Sequence, residues 1–334
     1  MATNKVFPLY VLIISIAFLS SGCIDNLESN YTPPQYLSSI VQAYDYSDSH
    51  FIVDTLYKSS FLDYSNNINL SQATLDNQIQ TNLPDFEIWV QTDVIEPAKR
   101  LAFAITMLGE RPAAGYPDTI HNLVPGLINF AYFRKLDTSE YIINSYTGLV
   151  SFKNNIPDNY NAGIVYSTKN GKHFGKGSYG ALNTDTLFLK AFKVPNQSPD
   201  ATPLAWELKM KNIYRLSVNN LNSQFQLDIN YQHDTIISSF IPTNSTILIT
   251  MLGLDRYQEN SRTPPPDGRF DWLPGITVYP STGDIIFPSL HPFCDDIPDP
   301  DFKFCELYTM RKLEAQNSPR ASYYFLKGFK QIKK

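Results

Sequence analysis

The alternation of apolar and polar residues along the chain predicts short β-strands joined by loops. Residues 225–232 alternate without interruption, which places the apolar side chains of this segment on one face of a strand and the polar ones on the other. The same period of two runs through residues 86–91. Residues 101–108 form a nearly continuous apolar strand that Gly109 and Pro112 end. This pattern is typical of half-buried strands in antiparallel sheets.

Turn residues between these segments predict hairpins. Residues 141–152 have Thr147-Gly148 at their centre, and residues 164–174 have Asn170-Gly171, a common two-residue hairpin turn. Residues 276–287 form a third hairpin, with Gly283 supplying a positive φ at the turn. The first and third hairpins end in similar sequences. Two related β-modules would explain this similarity, and so would shared turn chemistry.

Three further segments have less regular patterns. Residues 35–43 are predicted as a short helix, and residues 49–57 and 247–252 as strands. The segment from residue 24 to 81 is rich in Ser, Asn, Tyr and Asp, and Pro33-Pro34 predicts a stiff tether at its start.

Composition agrees with a mainly β fold. The chain has 21 Tyr, 21 Phe and 23 Pro, which suits short strands with frequent breaks better than long helices. We expect two antiparallel, sandwich-like β-modules, at residues 82–203 and 204–293, with long Pro-rich loops and little helix. A signal peptide (1–22) and a tether with an N-terminal extension (23–81) would precede them. A disulfide loop with a C-terminal strand (294–334) would follow.

The N-terminus has the pattern of a secretory signal. Lys5 provides a positive charge, and residues 6–19 form an apolar stretch of signal-peptide length. The stretch ends in Leu-Ser-Ser-Gly-Cys, which resembles a lipobox and predicts lipidation at Cys23. The alternative is an ordinary secretory signal with a cysteine there by chance. In either case we expect the protein in the cell envelope.

Cys294 and Cys305 are predicted to form a disulfide. They enclose ten residues without a strong structural pattern, and the envelope is oxidising. Closing such a loop is worth about 3 kcal/mol in the chain-entropy model. A rival interpretation uses the loop carboxylates as Ca²⁺ ligands, although two Pro and no Gly make this loop a poor cation site. Those carboxylates are Asp295, Asp296, Asp299 and Asp301.

The remaining chemical motifs predict no catalytic residue and no nucleic-acid partner. A net charge of -5 argues against a nucleic-acid-binding surface. Residues 175–180 match G-x-G-x-x-G, but they do not lie between a strand and a helix as nucleotide binding requires. The five His are far apart in sequence. We therefore expect a protein that is not an enzyme.

The most specific pattern lies in residues 252–293, where several short motifs occur at irregular spacing. The matching positions are Gly253, Leu254, Asp255, Arg256, Pro266, Asp267, Gly268, Phe270, Asp271, Gly275, Gly283, Phe287 and Pro288. They resemble the SprA (Sov) family of outer-membrane translocons of type IX secretion and gliding motility, whose sequences read roughly GLDR, PxPDGxFDxxxGIT and TGxIIFPxLxPF. Residues 187–190 and 206–214 also resemble this family, with Glu207 in place of Asp and Lys209 in place of Met.

The resemblance covers about residues 85–328 and implies an outer-membrane lipoprotein that acts in or beside type IX secretion or gliding. It would act through protein contacts with translocon components, for example by strand addition, with its lipid anchor in the outer membrane. One alternative is a surface lipoprotein that binds glycan or peptide ligands on aromatics such as Trp89 and Trp272. Another is a truncated or split translocon.

Asp267 and Asp271 are the best remaining candidates for a Ca²⁺ site, and no other cofactor is expected. Acidic residues around Gly268 could wrap a cation together with Asp255 and Glu259 upstream. The alternative is a Pro-Asp-Gly turn in which Asp271 bonds nearby backbone N–H groups or Arg256. The residue pattern favours the turn.

Overall fold

The described chain has four β-sheets and few helices, so the mainly β prediction is confirmed. The computed structural model describes residues 35–67, 77–94, 98–116, 127–258 and 262–332. It is 32% strand and 12% helix. The predicted signal peptide and Cys23 lie outside the described residues.

The strands are short, as their frequent Pro and Gly breaks predict. They are β1 Gln35–Gln42, β2 His50–Ile52, β3 Glu87–Gln91, β4 Arg100–Ile105, β5 Ile128–Lys135, β6 Tyr141–Asn144, β7 Leu149–Phe152, β8 Ala162–Ser167, β9 His173–Phe174, β10 Leu187–Lys193, β11 Ile213–Arg215, β12 Gln226–His233, β13 Ile236–Ser238, β14 Val278–Tyr279, β15 Asp284–Ile286 and β16 Tyr324–Ile332. The helices are α1 Tyr57–Asn66, α2 Pro203–Trp206, α3 Leu248–Met251, α4 Pro292–Asp295, α5 Glu306–Thr309 and α6 Lys312–Ala315, with a 3-10 turn at Pro300–Phe302.

The largest sheet closes on itself. Its strands follow the order β10-β4-β5-β3-β8-β9, and β10 also pairs with β8, which makes a five-stranded barrel. The β4–β10 pair is parallel, whereas the other pairs around the barrel are antiparallel.

Closure of the barrel buries both faces of several strands. On β3, Trp89 belongs to a cluster with Ala102 and Leu189, which alternation places inside the barrel. Its neighbours Ile88 and Val90 belong to a second cluster on the outer side. Both faces of β3 are therefore buried, although the sequence predicted one polar face.

Two three-stranded sheets pack against this outer side. Their strand orders are β2-β7-β6 and β11-β15-β14. Phe51, Val150 and Ile286 from these sheets share a core cluster with Ile164 of the barrel. The hairpins predicted at residues 141–152 and 276–287 thus form one layer against the barrel.

The fourth sheet has the order β1-β16-β12-β13 and covers a separate core. The four apolar residues predicted to share one face are all buried: Phe225, Leu227, Ile229 and Tyr231. The sheets cross the predicted domain boundaries. β1 and β2 come from the segment expected to be an extension, and β16 comes from the C-terminal segment. Residues Gln35–Lys334 form one compact unit.

Three local predictions were wrong. Residues 35–42 form β1 rather than a helix, because they pair along their whole length with β16. Residues 248–251 form α3 rather than a strand, with the N–H of Leu252 donating to the carbonyl of Leu248 (2.9 Å). The strand expected at residues 49–57 ends at Ile52, and α1 begins at Tyr57. Short apolar runs do not distinguish helix from strand by themselves.

Candidate functional site

The carboxylate of Asp255 joins the first two motifs of the 252–293 segment. It is buried and accepts the backbone N–H groups of Asp267 (3.0 Å) and Gly268 (2.9 Å). It also accepts the hydroxyl of Thr250 (2.5 Å). Gly268 has a φ of +86°, a backbone conformation that glycine adopts without strain. The loop after the three prolines is therefore fixed by one carboxylate.

Asp271 is held by backbone groups of the same motif. Its carboxylate accepts the N–H of Arg256 (2.7 Å), and its own N–H donates to the carbonyl of Leu254 (2.8 Å). The hydroxyl of Thr277 donates to the carbonyl of Asp271 (2.5 Å). Burial raises the pKa of Asp271 to about 6, with the N–H of Arg256 opposing this shift. These contacts match the turn alternative.

The Ca²⁺ alternative at Asp267 and Asp271 stays a prediction. Within the described part of the chain, no group of three or more His, Cys, Asp or Glu side chains is arranged to hold a metal ion. Glu259, the other carboxylate invoked for this site, lies outside the described residues.

Other motif positions serve packing. Leu254 and Phe287 are buried in the core under the four-stranded sheet, and Phe270 packs against its edge. Pro266 lies in the exposed loop. A Cβ on Gly253 would lie 2.8 Å from Cγ of Pro288, and one on Gly283 would lie 2.0 Å from the carbonyl oxygen of Val218. Gly275 has a φ of +85° and open space around it.

Asp284, next to Gly283, is the centre of a buried polar cluster. Arg215 donates to both of its carboxylate oxygens (Nε 2.7 Å, Nη2 3.1 Å). The same guanidinium also donates to the carbonyl of Phe152 (2.8 Å), which ties β11 and β15 to the end of β7. Burial alone would raise the pKa of Asp284, but His50 and Arg215 together hold it well below its ordinary value.

His50 connects this cluster to Ser151. Its Nδ1 lies 2.8 Å from Oγ of Ser151, and its Nε2 lies 3.5 Å from Oδ1 of Asp284. A Ser, a His and an Asp therefore meet, although no sequence motif links them. All three side chains are buried, so the arrangement is a core contact between two sheets.

The glycine-rich segment at residues 175–180 is a loop between β9 and β10, as its context predicted. Glu87 of β3 accepts the N–H (2.8 Å) and the hydroxyl (2.5 Å) of Ser178. A Cβ on Gly177 would lie 2.1 Å from that carboxylate, so the close approach requires glycine. Glu87 also accepts Nε1 of Trp89 (2.9 Å). Trp89 is buried, so the prediction of an exposed platform at Trp89 was wrong, and Trp272 is half-buried.

Cys294 and Cys305 are joined by a disulfide with their Cα atoms 4.8 Å apart. The bond links α4 to the residue before α5. The segment it closes packs through Ile297 and Phe304 into the core under the four-stranded sheet.

The outer edge of β1 is open. Among the described residues, β16 is the one strand paired with β1. Tyr36, Leu37 and Ile40 are 50%, 47% and 59% exposed on this edge strand. Its sequence, QYLSSIVQ, has no charged residue and no proline. Natural edge strands are usually protected by such residues, so β1 is available for pairing.

Two concave sites lie elsewhere on the surface. A cleft of about 570 Å³ separates the loop at residues 267–273 from the first half of β12. A cavity of about 330 Å³ lies between the end of β10 and α6, with Tyr46, Asp48, Trp206 and Lys209 in its walls. No motif in the sequence pointed to this cavity, because its residues come from well-separated segments.

No family model and no curated protein matches this chain. Within the described residues, none of the helices has the length and apolar character needed to cross a membrane.

Proposed function

We propose that this chain is a non-catalytic lipoprotein of the outer membrane that acts in or beside type IX secretion or gliding through protein contacts. The proposal rests on the resemblance of residues 252–293 to the SprA family and on the lipobox-like sequence ending at Cys23. The contact mode is strand addition, in which an extended segment of a partner extends an existing sheet.

The open edge of β1 is the observation that supports strand addition. The N–H of Ala43 donates to the carbonyl of Tyr324, in register with the β1–β16 ladder (2.9 Å). Because hydrogen bonding alternates along an antiparallel strand, residues 41, 39 and 37 also face β16. The N–H and C=O groups of Ser38 and Ile40 therefore point to the open edge, where a partner strand would bond them.

Substitution of Ser38 by proline tests this mode. It removes one edge donor and leaves the β1–β16 bonds in place, since proline is tolerated at edge positions whose N–H faces outward. We expect the wild-type protein, tagged after Lys334, to recover type IX components from detergent-solubilised outer membranes. The Ser38→Pro variant should recover much less.

Thr138→Pro is the matched control. Thr138 is exposed and lies in a turn closed by the N–H of Glu140 and the carbonyl of Asp137 (3.0 Å), where proline is compatible. It should behave as wild type. If wild type recovers no type IX component even after cross-linking, the proposed place in secretion is wrong. Equal recovery by wild type and Ser38→Pro would exclude β1 as the contact.

A second candidate, a surface lipoprotein that binds glycan or peptide, is favoured by the outer face of β4 and β5. The cross-strand pairs there are Leu101–Tyr132, Phe103–Phe130 and Ile105–Ile128. Phe130 and Tyr132 are 44% and 47% exposed, and none of the six side chains belongs to a buried core cluster of the described residues. Exposed aromatic rings on the outer face of the barrel are suited to stacking on ligands.

Affinity electrophoresis in gels containing dextran or mannan tests this candidate. Retarded migration of the wild type that is lost in Phe130→Ala and Tyr132→Ala would support glycan binding. Tyr179→Ala, at an aromatic residue 64% exposed elsewhere, is the control. Unretarded wild type in both gels would count against binding of these glycans.

A further inference from the structure

The cavity between β10 and α6 collects ammonium groups at its inner end. Lys193 is 3% exposed, and the side chains of Lys209 and Lys312 are 12% and 21% exposed. Asp48, with its side chain 36% exposed, lies between Lys209 and Lys312, and the exposed Asp158 also lines the cavity. With Arg311 at the mouth, four cationic side chains therefore line the cavity together with two carboxylates, in a chain whose net charge is -5.

Asp48 is bound by two of these groups at once. Its Oδ1 lies 2.6 Å from Nζ of Lys209, and its Oδ2 lies 2.6 Å from Nζ of Lys312. Lys312 also donates to the carbonyl of Tyr46 (2.5 Å) and contacts the exposed Asp45 at 3.4 Å, so its three donors are used and it acts on the cavity through its charge. Burial alone would raise the pKa of Asp48, and the two lysines together hold it below its ordinary value.

Lys193 adds positive charge without a carboxylate contact. Its Nζ donates to the carbonyl oxygens of Pro157 (2.8 Å), Asp158 (3.3 Å) and Tyr160 (2.7 Å). These bonds fix the ammonium group in place and use its three donors. Lys193 therefore acts on the cavity through its electrostatic potential.

Aromatic rings form the rest of the inner wall. The ring centroid of Tyr46 lies 4.7 Å from Nζ of Lys312 and 5.5 Å from Nζ of Lys209. The hydroxyl of Tyr46 is buried and has no hydrogen-bond partner among the described residues. The lining combines these rings with charged and amide side chains, and the volume of about 330 Å³ is within the range of small-molecule sites.

We propose that this cavity binds a small organic molecule through an oxyanion, a carboxylate or a phosphate, placed near the ammonium groups of Lys209 and Lys312. An entering anion adds the negative charge that Asp48 and Asp158 do not provide for the four lining cations, and a charge-assisted bond to the ammonium group of Lys209 is among the stronger polar contacts. This ligand site is separate from the open edge of β1, so the proposal does not depend on strand addition.

Isothermal titration of the full chain in detergent, at constant ionic strength, tests the proposal. Inorganic phosphate and succinate are the two anionic probes, and glucose is the uncharged control. We expect saturable binding of at least one anion and none of glucose. The comparison of phosphate with succinate identifies which oxyanion the site takes.

Two substitutions should change the affinity in opposite directions. Lys312→Gln should weaken anion binding by about tenfold, because it removes one positive charge from the cavity. Asp48→Asn should strengthen anion binding by a similar factor, because it removes one negative charge. The matched controls are Lys172→Gln and Asp200→Asn on exposed loops. Arg311→Gln, at the exposed mouth, should weaken binding without disturbing the fold.

No saturable binding of either anion to wild type would overturn the proposal. So would equal loss of binding in Lys312→Gln and Lys172→Gln, or binding of glucose as tight as that of the anions. If Asp48→Asn lowers the melting temperature, phosphate or succinate must raise the melting temperature of this variant by more than it raises that of Asp200→Asn. Failure of that rescue would also count against it.

Discussion

The carboxylate of Asp255 lies 2.9 Å from the backbone N–H of Gly268, thirteen residues further along the chain. The three prolines between them stiffen the intervening loop but do not determine where it ends. The side chain of Asp255 therefore sets the position of the loop on the body of the protein. Two motifs that are separate in sequence become one structural unit.

Asp255→Ala should lower the free energy of unfolding by about 2–4 kcal/mol, because it leaves the N–H groups of Asp267 and Gly268 without a charged acceptor. Urea unfolding followed by tryptophan fluorescence measures the change. Asp200→Ala, at an exposed position, should stay within about 0.5 kcal/mol of wild type. A change of similar size in both variants would contradict the role given to Asp255.

Asp284→Asn should destabilise the protein by about 3–5 kcal/mol, the usual cost of breaking a buried ion pair by removing one partner. The pKa of Asp284 is lower in the folded chain than in the unfolded one. Its contribution is therefore present above the ordinary carboxyl pKa of about 3.9 and is lost as the pH falls below it. Acid unfolding of wild type and Asp284→Asn should converge toward low pH. A constant difference down to pH 2 would exclude this assignment.

Lys211 should make stability rise with pH above neutrality. Burial lowers its pKa to about 7, with Glu207 opposing this effect and Lys209 and Lys58 adding to it. Between about pH 7 and the ordinary lysine pKa of about 10.4, the unfolded chain holds a proton that the folded chain lacks, so the free energy of unfolding increases with pH. Lys211→Met should remove this slope. Burial also lowers the pKa of Lys193, to about 8. Because wild type and Lys211→Met both contain Lys193, its contribution cancels when their pH dependences are subtracted.

Gly283→Ala and Gly275→Ala separate two reasons for glycine in the 252–293 segment. Both residues have positive φ, so each variant carries a conformational cost of about 1–2 kcal/mol. Only at Gly283 does the added Cβ also meet a carbonyl oxygen, that of Val218 at 2.0 Å. We expect a lower melting temperature for Gly283→Ala than for Gly275→Ala. Equal values would show that the contact with Val218 relaxes without cost.

Reduction of the Cys294–Cys305 disulfide should lower stability by about 3 kcal/mol in the chain-entropy model. Denaturant unfolding with and without dithiothreitol measures the effect. The double variant Cys294→Ser/Cys305→Ser should match the reduced protein and should not respond to dithiothreitol. A dithiothreitol effect that persists in this double variant would assign the loss to another cause.

The strand pattern could be predicted where a single face is buried, and β12 is the clearest example. The prediction failed where a strand pairs with a strand that is distant in sequence. β1 was mistaken for a helix because its partner, β16, lies nearly 300 residues away and nothing local marks the pairing. The barrel closes through β10, so the burial of Glu87 could not be read from the alternation in β3.

The candidate sites divide in the same way. The bonds among Asp255, Gly268 and Asp271 lie within one segment of the sequence, where the motif drew attention to them. The contact of His50 with Ser151 and Asp284 joins residues 101 or more positions apart. The walls of the β10–α6 cavity come from five separate stretches of chain. Sequence spacing does not predict contacts between residues from such distant segments, because the fold alone brings these residues together.

The position of β16 has a consequence for how the protein is made. It lies between β1 and β12, although it follows both of them in sequence and is the last strand of the described residues. During synthesis, β1 and β12 leave the ribosome long before the strand that pairs with both of them. The four-stranded sheet can form only after residues 324–332 have emerged, and loop closure over the separation between β1 and β16 is slow.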